Sequence, residues 1–247
     1  MWTAARAGLS LLAMIAGVPA AVAATCTKDV FEGTPYTACE VDPATETLRL
    51  WHAAPDGTVY GTFERLRAAL AAEDQVLDFA MNGGMYHEDR SPVGLYVEAG
   101  EERSGLVTSP GPGNFGLLPN GVFCLRADGG AEVTETGAFA ATRPDCAFAS
   151  QSGPMLVIGG ALHPKFLEGG TSRYIRNGVG VRPDGTVVFA ISDAPVNFHG
   201  FARLFRDRLG TPDALYIDGN VSRLYAPDIG RNDIGFPLGP IVGTVHN

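Results

Sequence analysis

The chain has 247 residues, 45% of them apolar, and 18 basic against 27 acidic side chains give a formal net charge of −9. That balance argues against a nucleic-acid partner, which needs a basic surface, and it obliges any anionic ligand to find locally placed arginines. The length suits one sizeable domain with its own core.

Residues 1–24 carry one early charge, Arg6, then an apolar run over 9–18 and the small residues PAAVAA, which fit an A-x-A cleavage site. We read a secretory signal peptide. A membrane anchor would need roughly 20 consecutive apolar residues, and no segment reaches that length. The mature chain, residues 25–247, loses Arg6, so its net charge moves from −9 to −10. It is expected to be periplasmic or secreted, with no stable membrane span. All four cysteines lie in this part, and an exported chain meets an oxidising compartment. Of three possible pairings we expect the local one, Cys26 with Cys39 and Cys124 with Cys146. A metal site is the rival, but no two cysteines have C-x-x-C spacing. A lipid anchor on Cys26 would follow a poorly suited Thr25.

The stretch TLRLWHAA (47–54) reads as a strand, and in TFERLRAALAAED (62–74) Phe63, Leu66 and Leu70 recur at helical spacing. QVLDFAMNGGMY (75–86) returns as a strand that breaks at Gly83 and Gly84. VGLYVEAGEE (93–102) and NFGLLPNGVFCLRADGGAEVTE (114–135) read as strand and hairpin, with turns at 119–121 and 128–130. PMLVIGG (154–160) is another apolar strand, and NGVGVRPDGTVVFAISD (177–193) a hairpin turning at 183–185. Asn197 precedes a second helix whose stripe is Phe198, Phe201, Phe205 and Leu209, closed by Gly210. The stripe reads as core packing. ALYIDG (214–219) follows, which makes Asp218 the end of a strand packed under that helix. Many strands and few helices without a linker indicate a single α+β domain of mixed or antiparallel sheets with a few packed helices.

Polar residues gather where these apolar runs end in glycine, namely Asn82, Gln151, Arg176, Asn177 and Asp218. A buried polar group left unpaired costs about 1–3 kcal/mol, so several together suggest a network or a site. Glycines at such ends allow positive φ and let backbone amides approach a ligand. Each stretch taken alone reads better as a turn, and it is their polar residues taken together that favour a site.

The ordered series NGGMY (82–86) with SPVGL (91–95), PNGVF (119–123), QSGPM (151–155), IRNGVG (175–180) and YIDG (216–219) resembles the phosphodiester glycosidase family, in particular its small exported bacterial branch. The resemblance spans about residues 81–225. Animal members of that family uncover mannose 6-phosphate by removing N-acetylglucosamine from a phosphodiester. The family often has Asp-Gly-Gly-Gly-Ser-Ser after its last strand. Here Asp218, Gly219 and Ser222 match, whereas Asn220, Val221 and Arg223 depart from the pattern.

Cleaving a sugar–phosphate bond at the anomeric carbon expels a phosphate ester that tolerates negative charge. Donors that hold the anion therefore matter more than a general acid. The expected catalytic set is Asp218 as nucleophile or water-activating base and Arg176, with the amides of Gly83 and Gly84, on the phosphate. Asp193 and Glu88 are the reserve carboxylates. Asn82, Gln151, Ser152, Asn177, Gly219 and Ser222 are the candidate substrate-binding residues. The structural alternatives are a turn-forming Asp218 and an ion-paired Arg176. His87 could serve as a base near neutral pH, although a lone loop histidine is more often polar surface; His199 reads as a first-turn helix residue and His163 as a loop residue beside Pro164. No HExxH, EF-hand or P-loop pattern is present, so no cofactor or metal is expected, although asparagines and aspartates at loop ends are of the type that bind Ca²⁺. Ser152 lacks the G-x-S-x-G setting of a serine hydrolase. The expected function is an exported hydrolase of glycosyl phosphodiesters or related linkages. The alternative is a non-catalytic carbohydrate-binding or envelope and exopolysaccharide assembly protein, favoured by the altered turn after Asp218.

Overall fold

A computed structural model describes residues 24–219 and 221–247, so the expected signal peptide lies outside the described residues apart from Ala24. Three sheets, antiparallel at every described pairing, make up the fold. The largest has seven strands, with Thr25–Phe31 and Thr34–Val41 at one edge and Val187–Ser192, Asn177–Val181, Asp213–Asp218, Met155–Ile158 and Ala161–Leu162 following in spatial order. A second sheet is built around Val76–Asn82 and Ile241–His246, and a third around Gly121–Arg126 and Cys146–Ser152. The fold is thus α+β, with antiparallel pairing where the sequence left mixed sheets open.

Each sheet turns one face inward and puts a helix on the other, and period-two alternation sorts the side chains. Along Val187–Ser192, Val187, Phe189 and Ile191 enter a cluster shared by all three sheets, where Phe79, Phe123 and Ile217 also sit. Val188 and Ala190 point the opposite way, onto Phe201, Leu204 and Phe205 of the helix near the C-terminal end. Phe63, Leu66 and Leu70 of helix Phe63–Ala71 cover the second sheet against Leu77, Ala80 and Ile241. Helix Thr136–Thr142, which the sequence reading did not find, covers the third with Phe139. Fully burying such a side chain contributes about 1.5–3 kcal/mol.

Both expected helices are capped, the second at Asn197 as expected and the first at Thr62. Thr62 accepts from the Arg65 amide at 3.2 Å and Asn197 from the Gly200 amide at 2.8 Å. Helix Phe198–Arg203 widens into a π-type turn over Leu204–Arg208 before Gly210, at φ 71°, ends it. Both disulfides take the local pairing. Cys26–Cys39 crosses directly paired strands with Cα atoms 4.0 Å apart, and Cys124–Cys146 spans 5.7 Å in the third sheet. Among the described residues no helix is long and apolar enough to cross a membrane.

Candidate active site

Strand Asp213–Asp218 runs inside the seven-stranded sheet and ends at a bulge. Asn177 pairs with Asp218 and Gly178 with Tyr216, which leaves Ile217 as the extra residue. Bulges re-aim the side chains beside them, and this one lies immediately before the carboxylate. Asp218 Oδ1 accepts from the Gly219 amide at 2.6 Å, and Oδ2 accepts from Asn82 Nδ2 at 3.3 Å. Asn82, fully buried at the end of the second sheet, also donates to Val221 O at 2.6 Å and accepts from the Arg223 amide at 2.8 Å. One amide thus links the strand end, the turn after it and the neighbouring sheet.

Asp218 lines a cleft of about 810 Å³, whose walls include Tyr86, Arg90, Phe115, Tyr174 and Tyr216, with Glu88 and His87 at the exposed rim. That size suits a sugar-sized ligand, and aromatic walls with a few polar groups are the usual composition of such sites. Burial raises the Tyr86 hydroxyl pKa and Asp218 adds to the shift, while Arg90 and Arg223 oppose it. Burial also raises the pKa of Tyr216, with Arg176 opposing. Tyr216 lies two residues before Asp218, so strand alternation was a signal for it that the sequence reading did not use.

Arg176 is wholly buried behind this wall and does not line the cleft. Its guanidinium lies 3.6 Å from the centroid of the Phe198 ring, at the end of a column in which Phe198 stacks on Phe166 and Phe166 on His163. Nε donates to Val196 O at 2.9 Å and Nη2 to Ser172 O at 3.0 Å, whereas Nη1 is buried without an acceptor among the described residues. It forms no ion pair with any described residue, and burial pushes its pKa down against the pull of Tyr216. A Cβ on Gly219 would stand 3.4 Å from Nη1 and clash with the Tyr216 hydroxyl, so this position needs a glycine for close approach.

The remaining candidates separate into groups. The Gly83 amide donates to Pro240 O at 2.8 Å and is therefore not available to a phosphate, contrary to the expectation. A Cβ there would meet the backbone of Ile241 at 2.8 Å, and one on Gly84 would clash with Ser150 Oγ; both glycines serve sheet packing rather than a positive φ. Gln151 spends its whole amide internally. Oε1 accepts from the Leu95 and Val107 amides, and Nε2 donates to Val107 O and Thr136 Oγ1. Ser152 Oγ, buried, donates to Ile217 O at 3.1 Å. Neither Gln151 nor Ser152 lines the cleft. Asn177 is buried beside Asp218 with Nδ2 unpartnered. Ser222 Oγ lies 2.9 Å from Asp218 O and 3.0 Å from Ile175 O, holding the turn closed. Asp193 faces a neighbouring cleft instead, where Arg231 and Thr37 hold it. His163 lies in the loop beside Pro164, as expected, and is buried in the aromatic column.

The profile of the phosphodiester glycosidase family matches residues 75–235. The uncharacterized protein YigE of Escherichia coli (strain K12) is 37% identical over 185 residues, 75% of this chain and 72% of that protein. Among solved structures, the catalytic domain of zebrafish N-acetylglucosamine-1-phosphodiester alpha-N-acetylglucosaminidase, auto-inhibited by its pro-peptide, superposes with a TM-score of 0.61 at 14% identity, over 90% of this chain and 81% of that one. A putative exported protein from Burkholderia pseudomallei K96243 superposes with a TM-score of 0.53 at 12% identity, over 85% and 74%. At these identities the structural matches speak for the fold alone.

Proposed function

The chain belongs to the phosphodiester glycosidase family, and on that premise we propose that it is an exported, single-domain hydrolase that cleaves glycosyl phosphodiesters, or a related glycosidic linkage, in surface or extracellular carbohydrate. The observation that carries this reading is Asp218. Its carboxylate ends a bulged strand, is oriented by Asn82, and lines an aromatic-walled cleft large enough for a sugar. Two disulfides fit an oxidising compartment outside the cytoplasm.

In the reaction the bond between the anomeric carbon and the phosphate oxygen breaks with its electron pair on the oxygen. Water's oxygen then bonds to the anomeric carbon and water loses one proton. Asp218 either adds to the anomeric carbon first or takes that proton. Because the departing phosphate monoester is a stable anion, no strong general acid is required. The cost lies in holding growing negative charge. Arg176 acts as a positioning residue: it fixes Ser172 and the Tyr216 wall, and it places an unneutralised positive charge beneath Gly219.

The experiment is phosphate-ester release from a panel of sugar-1-phosphodiesters by the mature protein and by Asp218→Asn at matched folding. Asparagine keeps an acceptor for the Gly219 amide, so the fold should persist while kcat falls by a factor of about 10²–10⁴. Turnover surviving in that variant would move the role to Glu88. A second reading, a sugar-binding protein without turnover, is favoured by the bond from the Gly219 amide to Asp218 Oδ1, since a carboxylate engaged by its own turn is less nucleophilic. Sugar binding without turnover on any diester would establish it.

A further inference from the structure

A second cleft, of about 830 Å³, adjoins the first and shares Tyr174, Gly219 and Val221 with it as a common ridge. On its wall lies Arg223, 6% exposed. Its backbone amide is taken by Asn82, but its guanidinium makes no hydrogen bond or ion pair with any described residue. The neighbouring Arg231 holds both Asp193 and Asp233, so these two carboxylates are already bonded to another cation. Burial pushes the pKa of Arg223 down and outweighs the pull of Tyr86, Asp233 and Asp218. The lack of a side chain at Gly235 leaves room for the guanidinium, since a Cβ there would stand 2.8 Å from Nη2. A largely buried cation on a cleft wall, with no hydrogen-bonded partner among the described residues, is costly to the fold, and a matching anion in the cleft would offset that cost.

We propose that Arg223 receives the phosphoryl oxygens of the substrate, across the ridge from Asp218, so that the sugar occupies the aromatic cleft and the phosphate with its alcohol group occupies the second. This inference rests on the hydrolase reading for its direction, but the anion site itself does not. Arg223 stands where the resembling family pattern often has a second serine, so a charged donor replaces a neutral one at this place. The diester carries one negative charge, and the departing monoester gains more as the carbon–oxygen bond breaks. The guanidinium therefore interacts more strongly with the transition state than with the ground state, and its loss should lower kcat as well as raise KM. Arg223 keeps its proton throughout.

The test measures binding of methyl phosphate to the full mature chain by calorimetry, alongside melting curves, for the wild type, Arg223→Gln, Arg223→Lys and Arg223→Met. We expect the glutamine variant to bind methyl phosphate at least about tenfold more weakly, as for loss of a charge-assisted pair. Lysine should retain part of the affinity. Methionine should melt no lower than the wild type, which a structural arginine would not allow. On a phosphodiester that the wild type turns over, Arg223→Gln should lose at least about tenfold in kcat/KM. Methyl phosphate binding within twofold of wild type in Arg223→Gln, or no binding by the wild type, overturns the proposal. Arginine-dependent binding without turnover of any diester keeps the anion site and removes the hydrolase reading, so the two fail separately.

Discussion

Replacing Gln151 with alanine separates a structural amide from a ligand-binding one. The side chain is 2% exposed and satisfies four partners: it accepts from Leu95 N at 3.1 Å and Val107 N at 3.0 Å, and donates to Val107 O at 2.6 Å and Thr136 Oγ1 at 3.1 Å. Alanine leaves all four without this partner. The Leu95 amide is buried, so its loss alone should cost about 1–3 kcal/mol. The Val107 segment is only half-buried, and water recovers part of its bonds, so the sum comes to about 2–4 kcal/mol. Such a loss is a large part of the roughly 5–15 kcal/mol that holds a domain folded. Urea unfolding of the mature chain should show the midpoint falling with an unchanged slope. Gln151→Glu keeps both acceptors but sets a carboxylate against Val107 O, so it should also destabilise, less so at low pH. KM at matched folded fraction should stay near wild type in both. A loss under about 1 kcal/mol, or a tenfold KM change at an unchanged midpoint, would refute the argument and return Gln151 to the substrate.

Two further outcomes can be measured on the same material. Glu98 accepts from the buried Tyr96 hydroxyl at 2.9 Å, and burial raises its pKa. A raised folded-state pKa means stability that is full below the ordinary carboxylate range and is lost as pH rises through the folded value. Glu98→Gln should therefore raise the melting temperature at neutral pH and lose that advantage on acidification; a gain independent of pH would show that the charge is not the cause. Reducing the disulfides, which close loops of 13 and 22 residues, should cost about 3 kcal/mol each. Unchanged melting with both thiol pairs demonstrably free would contradict this.

Much of the scaffold was legible because its signals are local. The turns at 128–130 and 183–185, the Asn197 cap and the Asp218 strand end each follow from a few adjacent residues. Helix Thr136–Thr142 was not legible: it has seven residues, TGAFAAT, of which only Thr136 and Phe139 are buried, so no apolar stripe forms. The outer strand of the first hairpin was equally opaque, since Cys26 is its only buried residue. The polar candidates were found as a group but not by role. Asn82 and Gln151 both end apolar strands, yet one bonds the Asp218 carboxylate and the other a backbone segment, a difference set by partners more than 40 positions away. Arg223 stands out only because its side chain has no hydrogen-bond or ion-pair partner among the described residues, a property of the folded chain that no short stretch encodes.

Strand Ile241–His246 lies between Thr47–Trp51 and Val76–Asn82, pairing with both. Two segments from the first third of the chain are therefore joined within the sheet by one near its end. Closing that sheet means bringing together residues almost 200 positions apart, which slows folding through the entropy of the long loop. Until Ile241–His246 docks, the inner edges of both neighbours are open, and Asn82, whose strand partner is Ile241, is not yet held toward Asp218. Completion of the cleft is thus expected to await the docking of this strand. A chain shortened by these few residues should remain susceptible to proteolysis and have no assembled site, even though every candidate site residue is still present.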